Sequence, residues 1–531
     1  MRRMFIVLLM TLLSLIFFPI TSFADNPVIK DRFSADPAAL AHDGKLYLYT
    51  GHDEATPDDS FFVLKEWNVF SSTDGSNWTY ESALPRTTFD WAIHDSAWAS
   101  QAVEKDGTFY WYTTVHNTSL SAPGYAIAVA TSDSPTSGFI DALGGPLVDS
   151  SMTDAPDFMG DVPWDNIDPT VFVDDDGEAY LYWGNTHLYY AKLSDNMLEL
   201  DGEIERVDIQ NMPGNFTEGP FLFKRDQLYY LTFAYNYPEE LAYAVSTSPK
   251  GPWYFQAKIM DKIPNSGTSH PAVIQFDGSW YFIYHTAGLP GGGEYRRSVA
   301  FEPLHFYEDG AIAKVTPTAS GIDSNSVTIS PTDSEFMVRQ VTNALRLAEK
   351  NTEHFDYRWH ETTGLTEEAD TVSFQIDNNP GVYLSINNDK MVLLQRYDGS
   401  EDLALASTFI KTETVDGTLL QPVSDPNLYL SVRDNKLTFL PRTENASITQ
   451  TFLIETQPGI IPAQSTPLTL PTETVTEDTS TDTDTIVNDT SQPALENEVQ
   501  DQSTTGWPFI ILGSLTILVI SFYFRNKRHK T

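Results

Sequence analysis

Five times along the chain a short, mostly apolar run leads into a tight turn, and an aromatic-rich run leads out of it. The copies read DPAALAHDGKLYLYTG from Asp36, WASQAVEKDGTFYWYT from Trp98, DPTVFVDDDGEAYLYWG from Asp168, EGPFLFKRDQLYYLTF from Glu218 and HPAVIQFDGSWYFIYH from His270. Asp-Gly between two such runs is the strongest short-range hairpin signal, and only the Glu218 copy replaces it, with Asp226-Gln227. Second hairpin-like stretches follow in three copies, NVFSSTDGSNW from Asn68, AIAVATSDSPTSGF from Ala126 and AYAVSTSPKGPW from Ala242. Two hairpins make about four strands per unit, and five such units predict an all-β, five-bladed β-propeller over residues 26–321. The innermost strands of a propeller run beside its axis, so the first residue of each copy is expected at one end of that axis. Three of those residues are carboxylates (Asp36, Asp168 and Glu218), and the others are Trp98 and His270.

A weaker repeat follows. FQIDNNPGVYLSINNDK from Phe374 returns 46 residues later as LQPVSDPNLYLSVRDNK from Leu420, and each copy leads to a Thr-Phe pair, Thr408-Phe409 and Thr451-Phe452. A fainter copy covers Phe336 to Trp359. Three units of this size predict a β-trefoil-like domain over 322–456. The core of the repeat resembles the arabinofuranose-binding trefoils attached to some arabinofuranosidases. Those domains commonly carry a His after Tyr-Leu and an Asp before Thr-Phe. Here Ser385 and Ser431 stand at the first position, and Ser407 and Gln450 at the second. Outside the carboxylate cluster, this domain is expected to govern binding to insoluble polysaccharide and not the turnover of small substrates.

The two ends of the chain predict its location. Arg2-Arg3, the apolar run Met4–Ile20 and Ser22-Phe23-Ala24 read as a secretory signal, residues 1–24. Residues 457–506 are an acidic Thr/Asp/Glu/Pro linker, expected to form an extended stalk. Residues 507–524 are apolar and would span about 27 Å as a helix, enough for a bilayer core. The basic tail 525–531 is expected on the cytoplasmic side. The arrangement resembles wall-sorting tails of Gram-positive surface proteins, but QSTTG stands before the apolar run without the usual Leu-Pro. The expectation is therefore a secreted protein held at the cell surface by one transmembrane helix.

Charge and cysteine content narrow the chemistry. With 73 acidic against 32 basic residues the net charge is −41, which excludes a nucleic-acid partner, since phosphates need Lys and Arg clusters. The absence of cysteine removes thiol nucleophiles and thiolate metal sites. Three carboxylates crowded around one axis would repel and raise at least one pKa. Such a group suits metal binding or glycoside hydrolysis, which needs one carboxylic acid to protonate the leaving oxygen and one carboxylate to activate water or attack.

The stretches SADPAALAHDGKLYLYTGHDEA, AWASQAVEKDGTFYWY, IDPTVFVDDDGEAYLYWGN, FTEGPFLF and YFIYHTAGLPGGGEYRRSV resemble glycoside hydrolase family 43, most of all its arabinoxylan arabinofuranohydrolase members. The resemblance covers the whole propeller. It implies that Asp36 is the general base, Glu218 the general acid, and Asp168 the carboxylate that tunes the acid's pKa and orients the sugar, with inversion at the anomeric carbon. It implies substrate contacts from Trp98, from His270 and from Arg296 or Arg297, of which strand alternation lets only one point inward. It also places His270 near a structural calcium ion, with no cofactor required for catalysis. The expected partner is plant cell-wall polysaccharide, and the expected activity is release of α-L-arabinofuranosyl side chains from arabinoxylan or arabinan. A β-xylosidase or endo-arabinanase would use the same three carboxylates. A non-catalytic surface lectin would have no need of all three.

Overall fold

A computed structural model of the chain describes residues 25–92, 96–118, 121–323, 326–342 and 344–470. The expected signal, apolar C-terminal segment and basic tail lie outside the described residues, as does the linker beyond residue 470. Among the described residues no helix is long and apolar enough to cross a membrane.

The five repeats fold into five antiparallel sheets, and the expected hairpins form their first two strands. The first strands are Ser34–His42, Ser100–Lys105, Thr170–Val173, Phe221–Arg225 and Ala272–Phe276. Each touches the next, and the fifth touches the first, so they close a circuit around a common axis with the remaining strands stepping outward. This is the layout of a five-bladed β-propeller. Three blades have four antiparallel strands; the fourth adds a short parallel strand, Ile209–Gln210, and the fifth has three. The outer side of the fifth blade is covered from the N-terminus: the Val28 amide donates to Val299 O at 2.9 Å and the Ser34 amide to Arg297 O at 2.9 Å. Residues from both ends of the propeller thus share one blade.

The aromatic second strands explain how neighbouring blades hold together. Tyr49, Tyr112, Tyr182 and Tyr230, one from each of the first four blades, are buried and point between blades. Each donates its phenol to a backbone carbonyl in an outer loop of the next blade: Pro135 O, Met197 O and Pro249 O at 2.7 Å, and Gly310 O at 2.9 Å. A buried tyrosine needs such a partner, and the repeat supplies the same one each time.

Among its described residues the C-terminal domain is also mostly strand, with one short α-helix, Glu401–Ser407, and a single 3-10 turn, Phe355–Tyr357. Six strands, Ser326–Pro331, Trp359–Thr363, Thr371–Ile376, Phe409–Thr414, Gly417–Pro422 and Phe452–Gln457, pair into a closed circuit. Three hairpins, Phe336–Glu349, Val382–Arg396 and Leu428–Pro441, lie against one another. Trp359, Phe409 and Phe452, at matching positions of the three repeats, are fully buried at its centre.

The expected linker does not begin free at residue 457. Tyr307 donates to Pro462 O at 2.6 Å, Gln256 and Thr469 exchange hydrogen bonds at 2.8 Å, and Leu468 and Leu470 pack on the propeller core. The described part of the segment is a strap laid back over the outer edges of the fourth and fifth blades. The described residues belong to one compact unit.

Candidate active site

The three carboxylates occupy unusual backbone. Asp36 and Asp168 have φ of 48° and 59°, in the left-handed region, and each precedes a proline, which itself narrows the allowed conformations. In the fourth blade Gly219 takes that conformation before Pro220, with φ 58°. Glu218 is therefore one residue earlier than its counterparts, an offset that its longer side chain can span. The turn also aims the Gly219 amide at Asp168, donating to Oδ2 at 2.9 Å. A Cβ at Gly219 would stand 3.1 Å from His270 Nδ1, so only glycine leaves that histidine in place.

Asp36 is buried between an arginine and a histidine. Arg297 Nη1 donates to Asp36 Oδ1 at 2.8 Å, and the rest of the guanidinium is clamped by Asp53, with Nε to Oδ2 at 2.9 Å and Nη2 to Oδ1 at 3.0 Å. His285 Nδ1 stands 3.3 Å from the same Asp36 oxygen, while its Nε2 donates to Thr268 O at 2.9 Å. Burial alone would raise the Asp36 pKa; Arg297, His285 and His270 more than reverse this and hold the carboxyl well below the usual range. Asp36 is thereby favoured as the ionised carboxylate at neutral pH.

Glu218 is in the opposite condition. Burial first, then the charges of Asp168 and Asp36, push its pKa up to about 8, against the lowering effect of Asn185 Nδ2, which donates to Oε2 at 2.6 Å. Asp168 Oδ2 is 3.7 Å from His270 Nδ1. Burial disfavours the charged form of His270, but Asp168, Asp36 and Glu218 outweigh it and raise its pKa. One site thus holds a buried acid that keeps its proton at neutral pH and a buried base that has lost its own. That is the electrostatic requirement for protonating a leaving oxygen while activating water.

The structure brings Asp36, Asp168, Glu218, His270 and Arg297 together and separates Arg296 from them. Arg296 turns outward, and its Nε and Nη1 donate to Gly291 O at 2.6 Å and Thr56 O at 3.0 Å, tying two surface loops. Trp98 is half-buried beside the site, its ring 4.2 Å from that of Tyr125 and 6.2 Å from those of Phe61 and Phe62. Phe62 carries the Arg297 guanidinium on its face at 4.6 Å, so this aromatic wall adjoins the carboxylates. Among the described residues no three His, Asp or Glu side chains are arranged as a metal cage. His270 is directed at Asp168 and belongs to no such group.

A scan against family models matches residues 24–312 to glycosyl hydrolases family 43. The chain belongs to that family. In this family 43 protein residues 323–453 also match the alpha-L-arabinofuranosidase B (ABFB) domain. An arabinoxylan arabinofuranohydrolase of Bacillus subtilis (strain 168) is 30% identical over 352 residues, 56% of this chain and 65% of that protein. A namesake from Paenibacillus polymyxa is 29% identical, over 56% of this chain and 52% of its own length, so the chain spans between half and two thirds of these relatives. The xylosidase/arabinosidase 43A of Humicola insolens is 27% identical, over 55% of this chain and 99% of that protein. A solved alpha-L-arabinofuranosidase from Clostridium thermocellum ATCC 27405 is 30% identical, covering 56% of this chain and 98% of its own, with a TM-score of 0.45.

Asp53, Thr114, Asn185, Glu239 and His285 were not singled out in the sequence. Thr114 Oγ1 accepts the Asp168 amide at 2.9 Å. Glu239 is buried, its Oε2 accepts the Ser269 amide at 2.5 Å, and burial together with Glu218 raises its pKa. All five lie within a few residues of the end of a blade's second strand, Thr114 and His285 inside it and the other three beyond it. Antiparallel pairing sets that end beside the start of the first strand, as in Ser34 opposite His52 and Ala272 opposite Ile283. The usable signal is a polar residue closing each aromatic run.

Proposed function

We propose that this chain is an inverting, exo-acting α-L-arabinofuranosidase that removes arabinofuranosyl side chains from arabinoxylan or arabinan. The observation that carries the reading is the opposed protonation of two buried carboxyls, Glu218 pushed up to about 8 and Asp36 held ionised by Arg297. In the reaction, Glu218 gives its proton to the glycosidic oxygen as the bond to the anomeric carbon breaks. Asp36 takes a proton from the water that attacks the opposite face of that carbon. The released sugar has inverted configuration, Asp36 is left protonated and Glu218 ionised, and solvent exchange restores both. Asp168 keeps Glu218 protonated and orients the sugar, while Arg297 faces the substrate beside the aromatic wall.

The arabinofuranosyl specificity rests on the names of the relatives and on the ABFB match. We read the six-stranded circuit with its three hairpins as a β-trefoil. The positions that carry His and Asp in arabinofuranose-binding trefoils are here bonded to each other, Ser385 Oγ to Ser407 Oγ at 2.7 Å and Gln450 Nε2 to Ser431 Oγ at 2.9 Å. A β-xylosidase is the second reading, favoured by the xylosidase/arabinosidase relatives. Secretion and surface anchoring follow from the composition of the two termini, and plant cell-wall polysaccharide outside the cell is the substrate in either reading.

Rates on substrates of graded leaving-group pKa test the roles. Glu218→Ala should lose about 10² to 10⁴ on natural arabinoxylan and much less on a dinitrophenyl arabinofuranoside, which needs no proton. Asp36→Ala should lose alike on both. A flat dependence for Glu218→Ala with a steep one for Asp36→Ala would reverse the assignment. Release of xylose alone from xylooligosaccharides, with no arabinose from arabinoxylan, would establish the second reading.

A further inference from the structure

Between the propeller and the C-terminal domain lies a cavity of about 270 Å³, away from the catalytic carboxylates. Its walls come from the last propeller strand and the loop after it, from the start of the C-terminal domain, and from the strap at Gly459–Pro462. Drug-sized ligands occupy roughly 300–1,000 Å³, so this volume suits one molecule of monosaccharide size. The lining is mixed and built: its polar residues Thr318, Ser320, Ser326, Arg358 and Asp377 are all at least nine-tenths buried.

Arg358 is the feature that points to an occupant. It is 3% exposed, and among the described residues it makes no direct ion pair, the charges of Asp377 and Glu353 acting on it only from farther off. Buried charges are normally paired. Arg358 Nε and Nη2 both donate to Thr352 O, at 3.0 and 2.5 Å, and Nη1 donates to Ser326 Oγ at 3.0 Å. A guanidinium has five N–H groups, so two remain without a described acceptor. Asp377 lines the same space. Its Oδ1 accepts the Ser320 amide at 3.0 Å, and burial raises its pKa. Glu302 is different: its two oxygens accept from Asn26, Tyr284, Thr318 N and Thr318 Oγ1, so it needs nothing more.

We propose that this cavity is a binding site for one neutral sugar, whose adjacent hydroxyl groups bridge Arg358 and Asp377. One hydroxyl oxygen accepts from the free guanidinium N–H groups, and a neighbouring hydroxyl donates to the Asp377 carboxylate. Phe355 supplies an apolar surface for the ring. An anion would satisfy Arg358 but face Asp377, and a cation would face Arg358. A neutral polyol meets both ends without either penalty. Because both domains and the strap line the cavity, an occupant would fasten all three together. The site stands whichever glycosidic bond the propeller hydrolyses.

The test uses the full chain with L-arabinose and D-xylose, and with inorganic phosphate as the anionic control. Crystals soaked in each sugar should show density in the cavity with oxygen atoms within hydrogen-bond distance of both Arg358 and Asp377. The same sugars should raise the melting temperature, and Thr316→Trp, which fills the cavity from its half-buried edge, should reduce that rise. Water alone in the cavity of crystals whose catalytic site holds the sugar would overturn the proposal. So would phosphate bound at Arg358 where the sugars do not bind, or an identical sugar-dependent rise in wild type and Thr316→Trp.

Discussion

Each partner of Glu218 moves its proton in a direction fixed by charge. Activity needs Glu218 protonated and Asp36 ionised, so kcat/KM should hold through neutral pH and fall as pH rises past about 8. Asp168→Asn removes a negative neighbour, makes the Glu218 proton easier to lose and moves the falling limb to lower pH. Asn185→Ala removes a hydrogen bond that favours the ionised form and moves the limb to higher pH. Profiles measured on a slow aryl arabinofuranoside check both signs. Limbs that move together, or not at all, would mean another group governs the alkaline side. The three carboxylates were legible in the sequence because each opens a repeat, and the repeat fixes where its first residue sits. Of their partners, His270 and Arg297 were legible too, but Asp53, Asn185 and His285 were not. Asp53 and Asn185 follow a second strand, and His285 lies inside one, where a polar residue reads as an ordinary strand end. The left-handed backbone at Asp36 and Asp168 was equally hidden, since Asp-Pro is compatible with many turns.

At the level of strands and turns, the site is assembled across blade edges, and Glu239 shows how. It sits in the turn after strand Leu228–Tyr235 of the fourth blade and reaches the Ser269 amide at the entrance to the fifth. That entrance presents His270 to Asp168 and the Thr268 carbonyl to His285. Glu239→Ala would leave a buried amide without an acceptor, a cost of about 1–3 kcal/mol, and would loosen the Thr268–His270 segment. Glu239→Gln keeps an acceptor of the same length and carries no charge. The expected result is a lower melting temperature and at least a tenfold loss of kcat/KM in the alanine variant, with the glutamine variant within a few-fold of wild type. A glutamine variant as impaired as alanine would show that the charge matters and not the acceptor. The hairpins themselves were readable from Asp-Gly between apolar runs. The contacts between blades were not, because a tyrosine's partner in the next blade, such as Pro135 for Tyr49, lies far along the chain with no local mark.

For the whole molecule the sequence suggested a propeller with a detachable binding domain, since a repeat of different size begins after residue 321. The structure joins them more closely. Asp377 accepts the Ala319 amide through its carbonyl at 2.6 Å and the Ser320 amide through its side chain, so propeller residues are bonded into the second domain. The loop Gly288–Arg296 leads to Arg297, and its Gly288 carbonyl lies against Gly381 of the second domain. The strap then returns and packs its Leu468 and Leu470 on the propeller core. Stopping the chain after Gly321 removes these bonds at once and exposes an apolar edge beside the loop that positions the arginine. Each lost hydrogen bond whose partners become solvated costs about 0.5–1.5 kcal/mol, and 1 kcal/mol moves the melting temperature of a domain of 150–250 residues by about 2–4 °C. The truncated propeller should therefore melt several degrees lower and lose activity on an aryl arabinofuranoside, where a detached binding domain would have left both unchanged. Calorimetry of the intact chain checks the same coupling. Coupled domains unfold in one transition, whereas two separated transitions, with the propeller's own unaltered by truncation, would restore the detachable picture.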